Sequence, residues 1–266
     1  MAHGMAISGC SWIDPHRSVE WGSTDTMNAP FPSAAHAKQV PHPIPRGVGL
    51  RVVGDVHGDV RAFSAALQTD RFVVQLGDLT DYGPDSAACL DLALEMQVNG
   101  RGLFLLGNHD LKLARALLGQ KVRVDVALAE TLGKLDDGLR RRITPALLAA
   151  PAWIVDGPRV FVHGGFHTEM LDLPPPTLPD GRVTGVLSRA LYGEHTGRTQ
   201  PDGYPERSLR WVDRIPGGMI VYCGHDRRST DGRPYIRRNL NGGVAVFLDT
   251  GAGKGGHLSW IDLPPL

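Results

Sequence analysis

The chain has 266 residues, no formal net charge, 42% hydrophobic and 21% charged residues, a balance that fits one large α/β domain with a full core or two small ones. A neutral total gives no global field to attract nucleic acid or an acidic membrane, and no run approaches the roughly 18 apolar residues that span a bilayer. Cys10, Cys89 and Cys223 show no paired spacing, which argues against a disulfide scaffold or structural zinc site. With no basic-then-apolar start at the N-terminus, the expected compartment is the cytoplasm.

Residues 1–46 carry scattered prolines, serines and histidines with Trp12 and Trp21 and no period of 2 or 3.6, so an extended or partly disordered leader is expected there, followed by one domain over 47–266. A strand should run from about Val48 to Val53. Asp59 can cap a helix whose apolar positions are Val60, Phe63, Ala66 and Leu67. The next strand is Phe72 to Leu76, followed by a helix with Ala87, Leu90, Leu94 and Val98 on one face, and then a strand from Leu103 to Leu106. Strand and helix alternating at this spacing predict right-handed β-α-β units and a parallel start to the sheet.

From Leu111 to Ala150 leucines recur at helical spacing, which predicts a small helical insertion. Strand character returns at Trp153 to Val155 and Val160 to Val162. A Pro- and Gly-rich stretch from Leu173 to Pro205 predicts a long loop, with one short helix around Val186 to Leu191 and a role in substrate selection. A helix is expected over 205–212, then a strand from Met219 to Tyr222 and two last strands, Val244 to Leu248 and His257 to Ile261. The second half therefore predicts a mixed second sheet packed on the first.

Five glycine-containing blocks follow apolar strands. They are Gly54-Asp55-Val56-His57-Gly58, Gly77-Asp78-Leu79-Thr80-Asp81, Gly107-Asn108-His109-Asp110, His163-Gly164-Gly165 and Gly224-His225. Any one of them alone reads as a turn. Together they deliver Asp55, His57, Asp78, Asn108, His163 and His225 to the carboxyl ends of strands, where open α/β sheets place their sites. This mixed nitrogen and oxygen set suits manganese, iron, zinc or cobalt better than calcium. Six ligands exceed what one tetrahedral ion needs, and a carboxylate such as Asp78 can bridge two ions. A water between two such ions would be largely ionised near neutral pH, so hydrolysis of a phosphate ester is the natural chemistry.

The ordered set of blocks resembles the calcineurin-like metallophosphoesterase superfamily, and within it the phosphoprotein phosphatase branch, including bacterial protein phosphatases and symmetrical diadenosine tetraphosphatases. The resemblance runs from about Leu50 to Leu263 and takes in the closing Asp249-Thr250-Gly251 and Gly255-Gly256-His257-Leu258 as a strand pair. It implies an α/β fold, a four-layer α/β/β/α sandwich. It implies two divalent metal ions, manganese first with Fe, Zn, Co or Ni as alternatives, one held by Asp55, His57 and Asp78 and the other by Asp78, Asn108, His163 and His225. His109 would be the general acid, with Asp81 orienting its imidazole, and Asn108 would also touch substrate.

Tyr82 stands where that branch usually has a phosphate-binding arginine. One hydroxyl in place of a charged fork should weaken the grip on a doubly charged monoester. Arg207 and Arg210 are the first candidates to compensate, with Arg189, Arg214, Arg227 and Arg228 behind them. The loop around Lys254 misses the spacing of a nucleotide-binding P-loop and reads as a strand connection, with Lys254 at most touching a substrate. The first functional expectation is a phosphomonoesterase acting on a phosphoprotein or small phosphate. The second, favoured by Tyr82, is hydrolysis of dinucleoside polyphosphates or phosphodiesters. A silent phospho-binding module is the third, and retention of every ligand together with His109 and Asp81 speaks against it.

Overall fold

The computed structural model describes residues 43–176, 183, 185–201, 203 and 205–266, all within the unit His42–Leu266. The expected leader lies outside the described residues except for positions 43–46. Within those four, Ile44 is already buried in the inter-sheet core.

Three parallel strands, β1 (Leu50–Val53), β2 (Phe72–Gln75) and β3 (Gly102–Phe104), start the first sheet in the predicted way. Helices α1 (Val60–Ala66) and α2 (Ser86–Val98) form the crossovers, each opened by an aspartate. Asp59 accepts from the Ala62 N–H and Asp85 from the Ala88 N–H, which satisfies a donor that the first helical turn leaves free. The helical insertion comprises α3 (Asn108–Leu117), α4 (Val126–Lys134) and α5 (Asp137–Ala149), the last two capped in the same way by Asp125 and Asp136.

A second sheet follows, with β4 (Trp153–Asp156), β5 (Arg159–Val162), β8 (Ile220–Cys223), β10 (Val244–Phe247) and β9 (Tyr235–Arg238) side by side in that order. It is mixed, as expected: β5, β8 and β10 are parallel and both edges antiparallel. Strand alternation sorts the side chains. Leu50, Val52, Val74 and Leu103 meet Ile154, Phe161, Tyr222, Val244 and Val246 between the sheets, with Phe161 stacked on Tyr222. The opposite faces go to helices. Val53, Val73 and Phe104 pack with α1, α2 and α5, whereas Val160, Val221 and Phe247 pack with Trp211, Val212 and α6 (Gly185–Tyr192). The resulting layers are helix, sheet, sheet and helix.

Three expectations are corrected. Residues 205–208 are a strand, β7 (Pro205–Ser208), which pairs with β6 (Glu194–Thr199) in an exposed two-stranded ribbon, and only a short 3₁₀ turn, Arg210–Arg214, follows. Both ribbon strands are polar on both faces, so no alternation betrays them, and Pro205 is tolerated at a strand edge. The edge strand β9 escaped because its four residues, Tyr235 to Arg238, are largely exposed and show no apolar-polar alternation. The final strand, β11 (Trp260–Leu263), begins later than predicted and does not pair with β10. It crosses to the first sheet and lies antiparallel to β1, so the last two strands tie the two sheets together.

Candidate metal centre

Each glycine-containing block sits at the carboxyl end of a strand or in the turn after it. Among the described residues five non-glycine residues have positive φ, namely His57, Asp78, Asp81, Tyr82 and His225; four belong to these blocks and Tyr82 directly follows the second. Strain of this kind persists only where the surroundings over-determine it, and it collects at functional sites. The blocks also approach closer than side chains allow. A Cβ on Gly224 would fall 2.0 Å from Oδ1 of Asp55, and one on Gly107 would fall 2.3 Å from Oδ1 of Asp78. Glycine is there because a carboxylate from another strand occupies that space.

Two groups of ligand-competent atoms result, Asp55 with His57 and Asp78, and Asp78 with His163 and His225. In each group one ligand atom per residue lies within 4.8 Å of the others. Asp78 belongs to both. Its Oδ2 stands 3.6 Å from Nε2 of His57 and 3.4 Å from Nε2 of His163, between the two imidazoles. Asn108 joins the second group through Oδ1, 3.1 Å from Nε2 of His163.

The ring nitrogens are oriented from behind. Nδ1 of His57 is 2.9 Å from the Thr80 carbonyl and Nδ1 of His163 is 2.9 Å from the Leu76 carbonyl, so each donates Nδ1–H outward and turns Nε2 inward. His225 donates its backbone N–H to Asp55, while its Nε2 is buried and has no hydrogen-bond partner among the described residues. A buried orphan nitrogen on a residue grouped with Asp78 and His163 is what a metal ligand looks like before an ion is considered.

The electrostatics agree. Burial, and then Asp249, push the Asp55 carboxyl well above the usual range. Burial also opposes ionisation of Asp78, yet the His163, His109 and His57 imidazoles hold its carboxyl well below that range. Burial drives His57 down to about 3 and His225 well below its ordinary value, which keeps both as neutral donors. His163 is also buried, but Asp78 overrides that and raises it to about 9. Buried carboxyl groups crowded together with the neutral imidazoles of His57 and His225 are an unfavourable set that divalent cations would satisfy, so the donor set fits the metal pair.

His109, the second residue of α3, flanks this cluster. Its Nδ1 is 2.6 Å from Oδ2 of Asp81, and its ring meets the His57 ring edge-on at 5.1 Å. Burial opposes protonation of His109, but Asp78 and Asp81 outweigh it and raise its pKa. Tyr82, 44% exposed, stands at the rim against both rings.

The arginines are placed less directly. Arg207 donates to the His225 carbonyl at 2.9 Å, beside the site. Arg210 is exposed on the 3₁₀ turn. Arg189 and Arg214 share Glu194, Arg228 pairs with Asp226, and Arg227 lies against Gly251.

Sequence reasoning gave no role to three buried residues that hold the site together. Asp110 accepts the backbone N–H groups of Asp78, Leu79 and Gly107, joining two blocks, and burial followed by Asp78 pushes its carboxyl up to about 7. Thr131, on α4, donates to Oδ1 of Asp81 at 2.7 Å. Asp249 accepts from the Gly251 N–H and shapes the closing turn. Asp110 and Asp249 could have been suspected from the blocks they sit in. Thr131 carried no local signal.

A sequence model described as calcineurin-like phosphoesterase matches residues 50–226. Among curated proteins, the asymmetrical bis(5'-nucleosyl)-tetraphosphatase PrpE of Geobacillus thermodenitrificans is 28% identical over 241 residues, covering 82% of this chain and 91% of its own length. The protein of the same name from Bacillus subtilis is 26% identical over 239 residues, with 81% and 91% covered. Among solved structures, a candidate diadenosine tetraphosphatase superposes with a TM-score of 0.53 at 20% identity, covering 83% of this chain and 95% of its own. A Saccharomyces cerevisiae serine/threonine phosphatase similar to human PP5 gives the same TM-score at 13% identity, with 83% and 81% covered. At these identities the superpositions speak to fold alone.

Proposed function

The chain belongs to the calcineurin-like phosphoesterase family of metal-dependent hydrolases, and from that premise we propose that it cleaves dinucleoside polyphosphates at a dinuclear centre. The observation that carries the centre is Asp78, whose Oδ2 faces His57 and His163 at once. Of the two substrate expectations, the second is better supported. Curated relatives matching over most of both chains are named tetraphosphatases, and the uncharged Tyr82 at the rim suits a bridging phosphate better than a doubly charged monoester. Those relatives are named asymmetrical, whereas the sequence resemblance was to symmetrical enzymes.

Asp55, His57 and Asp78 would hold one ion, and Asp78, Asn108, His163 and His225 the other. When bound, such a pair polarises the phosphoryl group and lowers the pKa of a water. The chain supplies the rest. Nδ1–H donation to Thr80 and Leu76 fixes the tautomers of His57 and His163. Asp81 holds Nδ1 of His109, which leaves Nε2 to carry a proton to the departing phosphate oxygen, and the raised pKa keeps that proton in place. Asn108, beside His163, and Arg207, beside His225, would orient the substrate phosphate.

The test is kcat/KM on diadenosine tetraphosphate beside p-nitrophenyl phosphate and bis-p-nitrophenyl phosphate, with manganese. A preference for the tetraphosphate supports the reading. A preference for the monoester returns the chain to its first expectation, a phosphatase.

A further inference from the structure

Lys254 was read from sequence as part of a strand connection, yet its Nζ lies 2.7 Å from Nε2 of His57 and 4.5 Å from the centroid of the Tyr82 ring. The backbone around it is built for that placement. The Lys254 and Gly256 N–H groups both donate to the Gly251 carbonyl, at 3.0 and 2.9 Å, so the turn closes tightly on itself. Gly253 presses onto the first block so closely that a Cβ would fall 2.1 Å from the His57 carbonyl oxygen. Lys254 is therefore carried to the rim on rigid backbone, and only its four-carbon stem is free to adjust.

Its Nζ contacts an aromatic face and an imidazole nitrogen, and its charge also acts on the buried carboxyls of Asp249 and Asp55 beyond them. A divalent ion taking Nε2 of His57 would displace the ammonium from that nitrogen and leave it beside the site. Arg189, Arg214 and Arg228 face carboxylates, and Arg207 stands beside His225 in the second ligand group, whereas Lys254 stands at His57 in the first. A lysine binds phosphate as a compact point charge and needs no fork geometry, which suits a chain of phosphates that can slide past it.

We propose that Lys254, steadied on the face of Tyr82, is a substrate-binding residue that grips a phosphate of the polyphosphate chain at the rim of the metal centre. The proposal rests on the dinucleoside polyphosphate reading above. It gives Lys254, for which the sequence allowed at most a touch on substrate, a defined place and a phosphate to hold.

The test is calorimetric titration of the manganese-loaded protein with a methylene-bridged, non-hydrolysable diadenosine tetraphosphate and, separately, with orthophosphate. Wild type, Lys254→Gln and Lys254→Arg are compared, and metal content is measured on each. Loss of one charge-assisted contact should weaken the analogue by about tenfold or more in Lys254→Gln, with metal content unchanged. Lys254→Arg keeps the charge and should weaken the analogue less than Lys254→Gln does. Equal affinity in wild type and Lys254→Gln would overturn the inference and leave the functional reading standing. Loss of metal from Lys254→Gln would also overturn it, by assigning the residue to support of the ligand loop. If wild type binds the analogue no better than orthophosphate, the functional reading itself fails and the inference falls with it.

Discussion

Nδ1 of His109 lies 2.6 Å from Oδ2 of Asp81, and the pair brings a polarised imidazole to the edge of the two ligand groups. Replacing His109 with alanine should lower kcat by about 10²- to 10⁴-fold, the usual size of a general-acid contribution. The loss should be greatest where the leaving oxygen is basic and least for p-nitrophenolate, which departs without a proton. An equal loss on both substrates would point to positioning alone.

Thr131 supports that pair from α4 by donating to the other oxygen of Asp81. Thr131→Val keeps the shape and removes the donor, so a stability loss of about 1 kcal/mol is expected, together with a fall in kcat. The informative comparison is the pH profile. If Thr131 steadies the carboxylate that raises the His109 pKa, the alkaline limb of kcat should move to lower pH in the variant. An unmoved limb would make Thr131 a packing residue.

Gly224→Ala should abolish tight metal binding, because its Cβ would fall 2.0 Å from the Asp55 oxygen that belongs to the first ligand group. Calorimetric metal titration reads this directly, and wild-type affinity in a folded variant would contradict the geometry.

Chelation should lower the melting temperature. Asp55, Asp78 and Asp249 are buried near one another, and the ions that would neutralise them bind only the folded state. A ligand at 100 times its Kd stabilises by about 2.7 kcal/mol per site, so manganese should restore the lost stability in a concentration-dependent way. A melting temperature insensitive to chelator and manganese would mean that the cluster holds no ion.

Tyr82→Arg should raise kcat/KM for p-nitrophenyl phosphate, since a guanidinium fork would replace a single hydroxyl at the rim. The gain is opposed by the positive φ of 68° at this position, which arginine must also adopt. No gain would place phosphate recognition elsewhere.

Much of this was legible because buried parallel strands write themselves as apolar runs, and the blocks that follow them carry glycine beside ligand-competent residues. Leu50–Val53 and Phe72–Gln75 are of this kind, and Asp55, His57 and Asp78 follow from them. What escaped has no local signature. The β6–β7 ribbon is polar on both sides, and Pro205 suggested a helix start as readily as a strand edge. The partner of β11 is set by the path of the chain across the sandwich, which no local pattern records. Thr131 and Lys254 reach the site from distant segments, and only the fold brings them there.

The most direct test is turnover of diadenosine tetraphosphate measured against manganese bound per chain, from the chelated protein upward, with Asp78→Asn alongside. Activity should be absent without metal, rise as the second equivalent fills, and stay absent in Asp78→Asn, which loses the carboxylate common to both groups. Full turnover in the chelated protein, or in Asp78→Asn, would contradict a centre built on Asp78.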